Sequence, residues 1–127
     1  MKIIIVGQET QINETLMELL AAQPGFTVKM YTPEMLENQG TEIRETEPDL
    51  LILDISGYDK KPVECVEEIK EKKLSKALIA MHVYTAPNLI KPLIEAGADG
   101  YLPSSTTEEE LLTAIETINK GQNYPEL

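Results

Sequence analysis

Residues 47–55 read EPDLLILDI. The apolar run Leu50–Leu53 has strand length and no polar alternation, the pattern of a strand buried on both faces of a parallel sheet. Asp54 closes it. An ionised side chain next to a buried strand is costly unless it stands exposed at the strand tip or is paired. Two readings of Asp54 follow. It faces a ligand crevice at the end of a central strand, or it is a loop residue that caps the helix opened by Pro62 or breaks the strand.

Continuous apolar runs recur at Ile3–Val6 and Ala77–Met81. Phe26–Tyr31 alternates instead, with Phe26, Val28 and Met30 set against Thr27, Lys29 and Tyr31, as in an edge strand with one wetter face. Gly100–Leu102 is a short fifth candidate. Helical patterns lie between these runs. Ile12, Leu16, Leu19 and Leu20 form one helix face. Thr32-Pro33 opens a second helix, with Thr as N-cap and Pro at the first position; Gly40 weakens its interior. Pro62 opens a third, carrying Val63, Val66 and Ile69. Pro87 is placed to open a fourth, but Pro92 follows it closely. A proline there removes a donor and clashes with the preceding turn, so this helix is predicted to start late, kink or be short. Thr106-x-x-Glu109 reads as a capping box for the last helix. Leu111, Leu112, Ile115 and Ile118 form its stripe, and Lys120-Gly121 its stop.

The order βαβαβαβαβα predicts a doubly wound α/β domain with right-handed crossovers. Such sheets bind ligands beyond the carboxyl ends of their strands. The informative residues are then Gly7-Gln8-Glu9, Asp54, His82 and Pro103-Ser104.

The 127 residues predict one domain over 1–127. With 42% hydrophobic and 26% charged residues the chain is of globular composition. Cys65 is the single cysteine and His82 the single histidine, which excludes an internal disulfide and a Cys/His metal cluster. Eleven Lys and Arg against 22 Asp and Glu give a net charge of −11. That balance repels polyanions, so direct nucleic-acid binding and anionic membrane surfaces are not expected. MKIIIVG is too short for a signal-peptide core, and Ala77–Met81 is far short of a membrane span, so a soluble cytoplasmic domain is expected. Cys65 reads as a buried thiol, since a redox role needs exposure and nearby positive charge. Glu108-Glu109-Glu110 suits the dipole of the last helix. Lys70, Lys72, Lys73 and Lys76 read as a solvated face offset by Glu67, Glu68 and Glu71.

Taken together, LLAAQPGFTV (19–28), EPDLLILDI (47–55), EAGADGYL (95–102) and EELLTAIETINKGQNYPEL (109–127) resemble a bacterial response-regulator receiver domain, CheY-like in fold and NarL/FixJ in type. The resemblance implies a flavodoxin-like, three-layer α/β/α fold. Its five-stranded parallel sheet would run in the order 2-1-3-4-5, with five helices. It also implies that Asp54 holds the position of the aspartate that accepts a phosphoryl group from a histidine kinase. In that family two acidic residues after the first strand, the acceptor aspartate and a backbone carbonyl hold Mg²⁺. A Ser/Thr ending the fourth strand and a Lys after the fifth contact the phosphoryl group, and an aromatic residue on the fifth strand changes rotamer.

This chain departs from that pattern. Gly7 and Gln8 replace the acidic pair, His82 the Ser/Thr and Ser104 the Lys. Tyr58 and Pro62 replace a customary Pro and Gly. Asp54 remains, Ser56 is placed to offer the carbonyl, and Tyr101 keeps the aromatic position. Glu9 is a partial substitute at best. The expectation is a degenerate pseudo-receiver and not an enzyme. It would have no cofactor, with at most weak Mg²⁺ at Asp54 and the Ser56 carbonyl. His82 reads as a packed or hydrogen-bonded strand-end residue rather than a catalytic base. A pH-sensitive contact from His82 to Asp54 that locks one conformation is an intermediate reading.

Implied partners are proteins: a histidine kinase, another signalling protein, or a second copy. Docking would use the first and last helices, or the face of the fourth helix, fifth strand and fifth helix. Residues 122–127 resemble the start of a linker to a LuxR-type DNA-binding domain. One alternative is a working phosphoacceptor receiver, the N-terminal part of such a transcriptional regulator. Another is a small-molecule or flavin-binding domain on the same architecture, although no phosphate-cradling loop is present.

Overall fold

The computed structural model describes residues 1–126; Leu127, the last residue of the linker-like tail, lies outside the described residues. Five parallel strands form one sheet: β1 (Lys2–Val6), β2 (Thr27–Tyr31), β3 (Leu50–Asp54), β4 (Ala77–His82) and β5 (Gly100–Pro103). Their order is β2-β1-β3-β4-β5. The connecting helices are α1 (Gln11–Ala21), α2 (Pro33–Glu45), α3 (Pro62–Lys72), α4 (Pro87–Glu95) and α5 (Glu108–Asn119). The architecture is the three-layer α/β/α sandwich expected from the sequence.

The apolar runs become strands because both of their faces are covered. Ile4, Val6, Leu51, Leu53, Leu78 and Ala80 pack with α2, α3 and α4. Ile3, Ile5, Leu50, Ile52, Ile79 and Met81 pack with α1 and α5. All five residues of β3 are buried. It lies mid-sheet, Leu53 paired with Val6 and Asp54 with Met81. β2 is the wetter edge: Thr27 and Lys29 are exposed, Val28 and Met30 half-buried.

Helix termini follow local chemistry. Thr10 caps α1 through Asn13 N–H, and Thr32 caps α2 through Met35 N–H. Gly40 sits within a continuous 13-residue α2. α4 begins at Pro87 and is only nine residues long, with Pro92 inside it, so of the three outcomes foreseen it is short and does not start late. Two expectations need correction. The α5 cap is Thr107, which accepts from Glu110 N–H at 3.1 Å, and not Thr106. Both threonines have a glutamate three residues on, so the capping pattern alone does not separate them. Ile12 is 56% exposed, and the buried α1 face runs through Asn13, Leu16 and Leu20. Residues 12 and 13 both fall near the face set by Leu16, and the buried position goes to the one with a polar partner inside.

After α5 the chain returns to the sheet. Tyr124 forms a parallel bridge with Gly100 on the outer edge of β5. Among the described residues, no helix is long and apolar enough to cross a membrane.

Candidate functional site

The carboxyl ends of β1 and β3 converge on Asp54, which is 7% exposed. Its carboxylate has three donors. Ser56 N–H and Ser56 Oγ donate to Oδ1 at 3.1 and 2.6 Å, and Asn13 Nδ2 donates to Oδ2 at 2.9 Å. The Ser56 bonds cap a short 3-10 turn, Ile55–Gly57. Asp54 is thus a buried, paired residue at the strand tip that caps this turn. It does not cap α3, whose N-cap Lys61 makes no side-chain bond.

Asn13 is the residue that the sequence reading missed. It is fully buried, and its amide nitrogen also donates to the Gln8 carbonyl at 2.9 Å. The available signal was a polar residue beside the apolar stripe of α1. Its position explains Gly7: a Cβ on Gly7 would lie 2.7 Å from Asn13 Nδ2 and 2.9 Å from Asp54 Cβ. The Asn13 amide fills room that a side chain at position 7 would need. The Asn13 carbonyl oxygen is buried without a hydrogen-bond partner.

The other positions singled out in the sequence gather around this pair to differing degrees. Gln8 leans on Gly57, donating weakly to its carbonyl at 3.4 Å. Glu9 is exposed. His82 makes no hydrogen bond to Asp54. Its ring stands edge-on to Tyr84 with centroids 4.7 Å apart, and its buried Nδ1 has no partner. Burial lowers its pKa, and the Asp54 charge opposes that shift, so the imidazole is neutral at neutral pH. Ser104 is tied by its N–H to the His82 carbonyl at 2.8 Å. It lines a shallow groove of about 240 Å³ with Ile12, Leu16, Leu19, Met81 and Leu111.

Tyr101 is 2% exposed, with its side chain turned inward. Its hydroxyl reaches the His82 and Tyr84 carbonyls at 2.8 and 2.7 Å. Burial pushes its pKa up to about 12. Cys65 is fully buried, and burial raises its thiol pKa, so it has the environment of an inert core thiol. Among the described residues, no three His, Cys, Asp or Glu side chains come together as a metal-holding group.

No family model matches the chain. Curated relatives do. The nitrate/nitrite response regulator protein NarL of Escherichia coli K12 is 26% identical over 121 residues, 94% of this chain and 55% of its own length. The transcriptional regulatory protein YdfI of Bacillus subtilis is 28% identical over 123 residues, again 94% of this chain and 55% of its own length. The chain therefore spans about half the length of these relatives. Among solved structures, a LuxR-family two-component response regulator from Aurantimonas superposes with a TM-score of 0.78 at 24% identity, covering 96% of this chain and 86% of that one. The signal receiver domain of the putative response regulator NarL from Mycobacterium tuberculosis gives 0.75 at 15% identity, covering 95% and 97%. Sheet order, helix number and these comparisons agree: the chain has the fold of response-regulator receiver domains and is similar in sequence to response regulators of the NarL type.

Proposed function

We propose that this domain signals by docking to a protein, without relying on phosphorylation of Asp54. The observation that carries the reading is the Asn13 amide at 2.9 Å from Asp54 Oδ2, in the space left by Gly7. Phosphoryl transfer to a carboxylate needs positive charge around it, because both reactants are anionic. Mg²⁺ serves that purpose with oxygen ligands. Here a donor amide, not a pair of acidic side chains, faces Asp54, and Ser104 stands where a lysine would. These residues do not fit Mg²⁺.

Two surfaces present apolar side chains for docking. One is the α1/α5 groove beside Ile12, the other the β4–α4 loop and α4, where Val83 and Leu89 are exposed. A second copy of the chain or another signalling protein is the proposed partner. No cofactor is required. A histidine kinase acting on Asp54 is the second reading, favoured by the position of Asp54 at the tip of β3 and by the retained Tyr101.

Intact mass measured after incubation with acetyl phosphate, with and without Mg²⁺ and beside an Asp54→Asn control, separates the two. The docking reading expects no added phosphoryl group. A Mg²⁺-dependent addition that the control lacks establishes the second reading instead.

A further inference from the structure

We infer that Asn13 closes the Asp54 pocket to divalent cations, its amide supplying through hydrogen bonds the positive environment that a buried carboxylate requires. The inference deepens the docking reading and rests on it for its functional meaning.

A primary amide nitrogen has two N–H donors and no acceptor capacity. Both donors of Asn13 are engaged, one by the Gln8 carbonyl and one by Asp54 Oδ2, each at 2.9 Å. A cation approaching that oxygen meets the positive end of an N–H dipole. To bind there it must displace the amide, leaving the Gln8 carbonyl short of a donor in a buried place. The main chain that carries the amide is also fixed, because the Asn13 backbone N–H donates to Thr10 Oγ1 at 3.2 Å. Gly7 completes the arrangement: any larger residue collides with the Asn13 nitrogen. Gly7 and Asn13 therefore act as a matched pair, one making room and the other filling it.

Asn13→Asp is nearly isosteric and reverses the chemistry. An oxygen replaces the donor nitrogen 2.9 Å from Asp54 Oδ2, so two carboxylates face each other. Like charges this close favour a shared proton or a bound cation. One substitution should thus convert a closed pocket into a cation site, with water completing the coordination.

The test uses the full chain as wild type, Asn13→Asp and Asn13→Ala, each checked for fold by circular dichroism. Mn²⁺ binding is read by electron paramagnetic resonance, and thermal melting is recorded with chelator and with Mg²⁺. Wild-type melting should ignore Mg²⁺. Asn13→Asp should melt lower in chelator, recover with Mg²⁺, and bind Mn²⁺ at least about tenfold more tightly, the scale on which ligand-shell changes act. Asn13→Ala should fall between the two and serves if Asn13→Asp fails to fold. Folded variants that bind Mn²⁺ no better than wild type overturn the inference, as does tight Mn²⁺ binding by wild type. Phosphorylation of wild type without bound Mn²⁺ sinks the docking reading but leaves this inference standing. Unimproved Mn²⁺ binding in the variants does the reverse.

Discussion

The backbone N–H of Tyr101 donates to the carbonyl of Tyr124 at 2.7 Å, and Tyr124 N–H returns a bond to Asp99 at 3.1 Å. On its other side the Tyr101 hydroxyl holds the carbonyls of His82 and Tyr84. One residue thus ties the C-terminal segment to the loop that leaves β4.

The contact depends on Gly100. A Cβ there would lie 2.5 Å from Ile118 Cδ1 and 2.9 Å from the Tyr124 carbonyl. Gly100→Ala should cost about 1–3 kcal/mol through overpacking. It should also speed hydrogen exchange at the Tyr101 amide, measured by NMR. An unchanged exchange rate would show that Tyr124 does not hold this edge.

Tyr101→Phe keeps the buried ring and removes the hydroxyl bonds. The expected loss is about 1 kcal/mol in urea unfolding, the scale of a net intramolecular hydrogen bond. Residues 83–86 should exchange faster in the variant. Unchanged stability and exchange would mean that the hydroxyl does not anchor this loop.

His82 gives a pH dependence of defined sign. Its folded pKa lies below the ordinary 6.5, first because of burial and against the pull of Asp54. As pH falls the unfolded chain takes the proton first, so unfolding gains. The His82 contribution is intact above pH 6.5 and is lost as pH drops through the folded value. Between about pH 7 and about pH 5, wild type should therefore lose more melting temperature than His82→Gln. Equal losses would mean that this imidazole is not held neutral by the fold.

Ser56→Ala deletes the 2.6 Å bond to Asp54 Oδ1 and spares the backbone donor at 3.1 Å. Ser56 is exposed, so the cost should be modest, about 1 kcal/mol in chemical denaturation. A loss well above that would show that the hydroxyl does more than cap the turn.

Much of the fold was legible because burial on both sheet faces leaves a plain mark. Leu50–Leu53 and Ala77–Met81 are apolar without interruption, and no amphipathic helix needs that. The cap of α5 was misplaced by one residue because Thr106 and Thr107 satisfy the same local rule. Ile12 was assigned inward because spacing treats it and Asn13 as near neighbours on one face. What separates them is a bond to Asp54, 41 positions away, which periodicity does not encode. The same long-range contact hid the meaning of Gly7. In the sequence it reads as a lost acid; in the fold it is the space in which an amide sits. The intermediate reading, a His82–Asp54 contact, is not met for a related reason. Proximity at strand ends does not fix side-chain direction, and the imidazole turns to Tyr84.

The outer edge of β5 has a further consequence. The Asp99 carbonyl and the Tyr101 N–H are taken by Tyr124. At the next outward-facing position Pro103 has no N–H to offer. A foreign extended segment drifting past this rim finds no free pair of groups on which to start a ladder. The domain is thereby protected on this side from templated aggregation, even in a crowded solution.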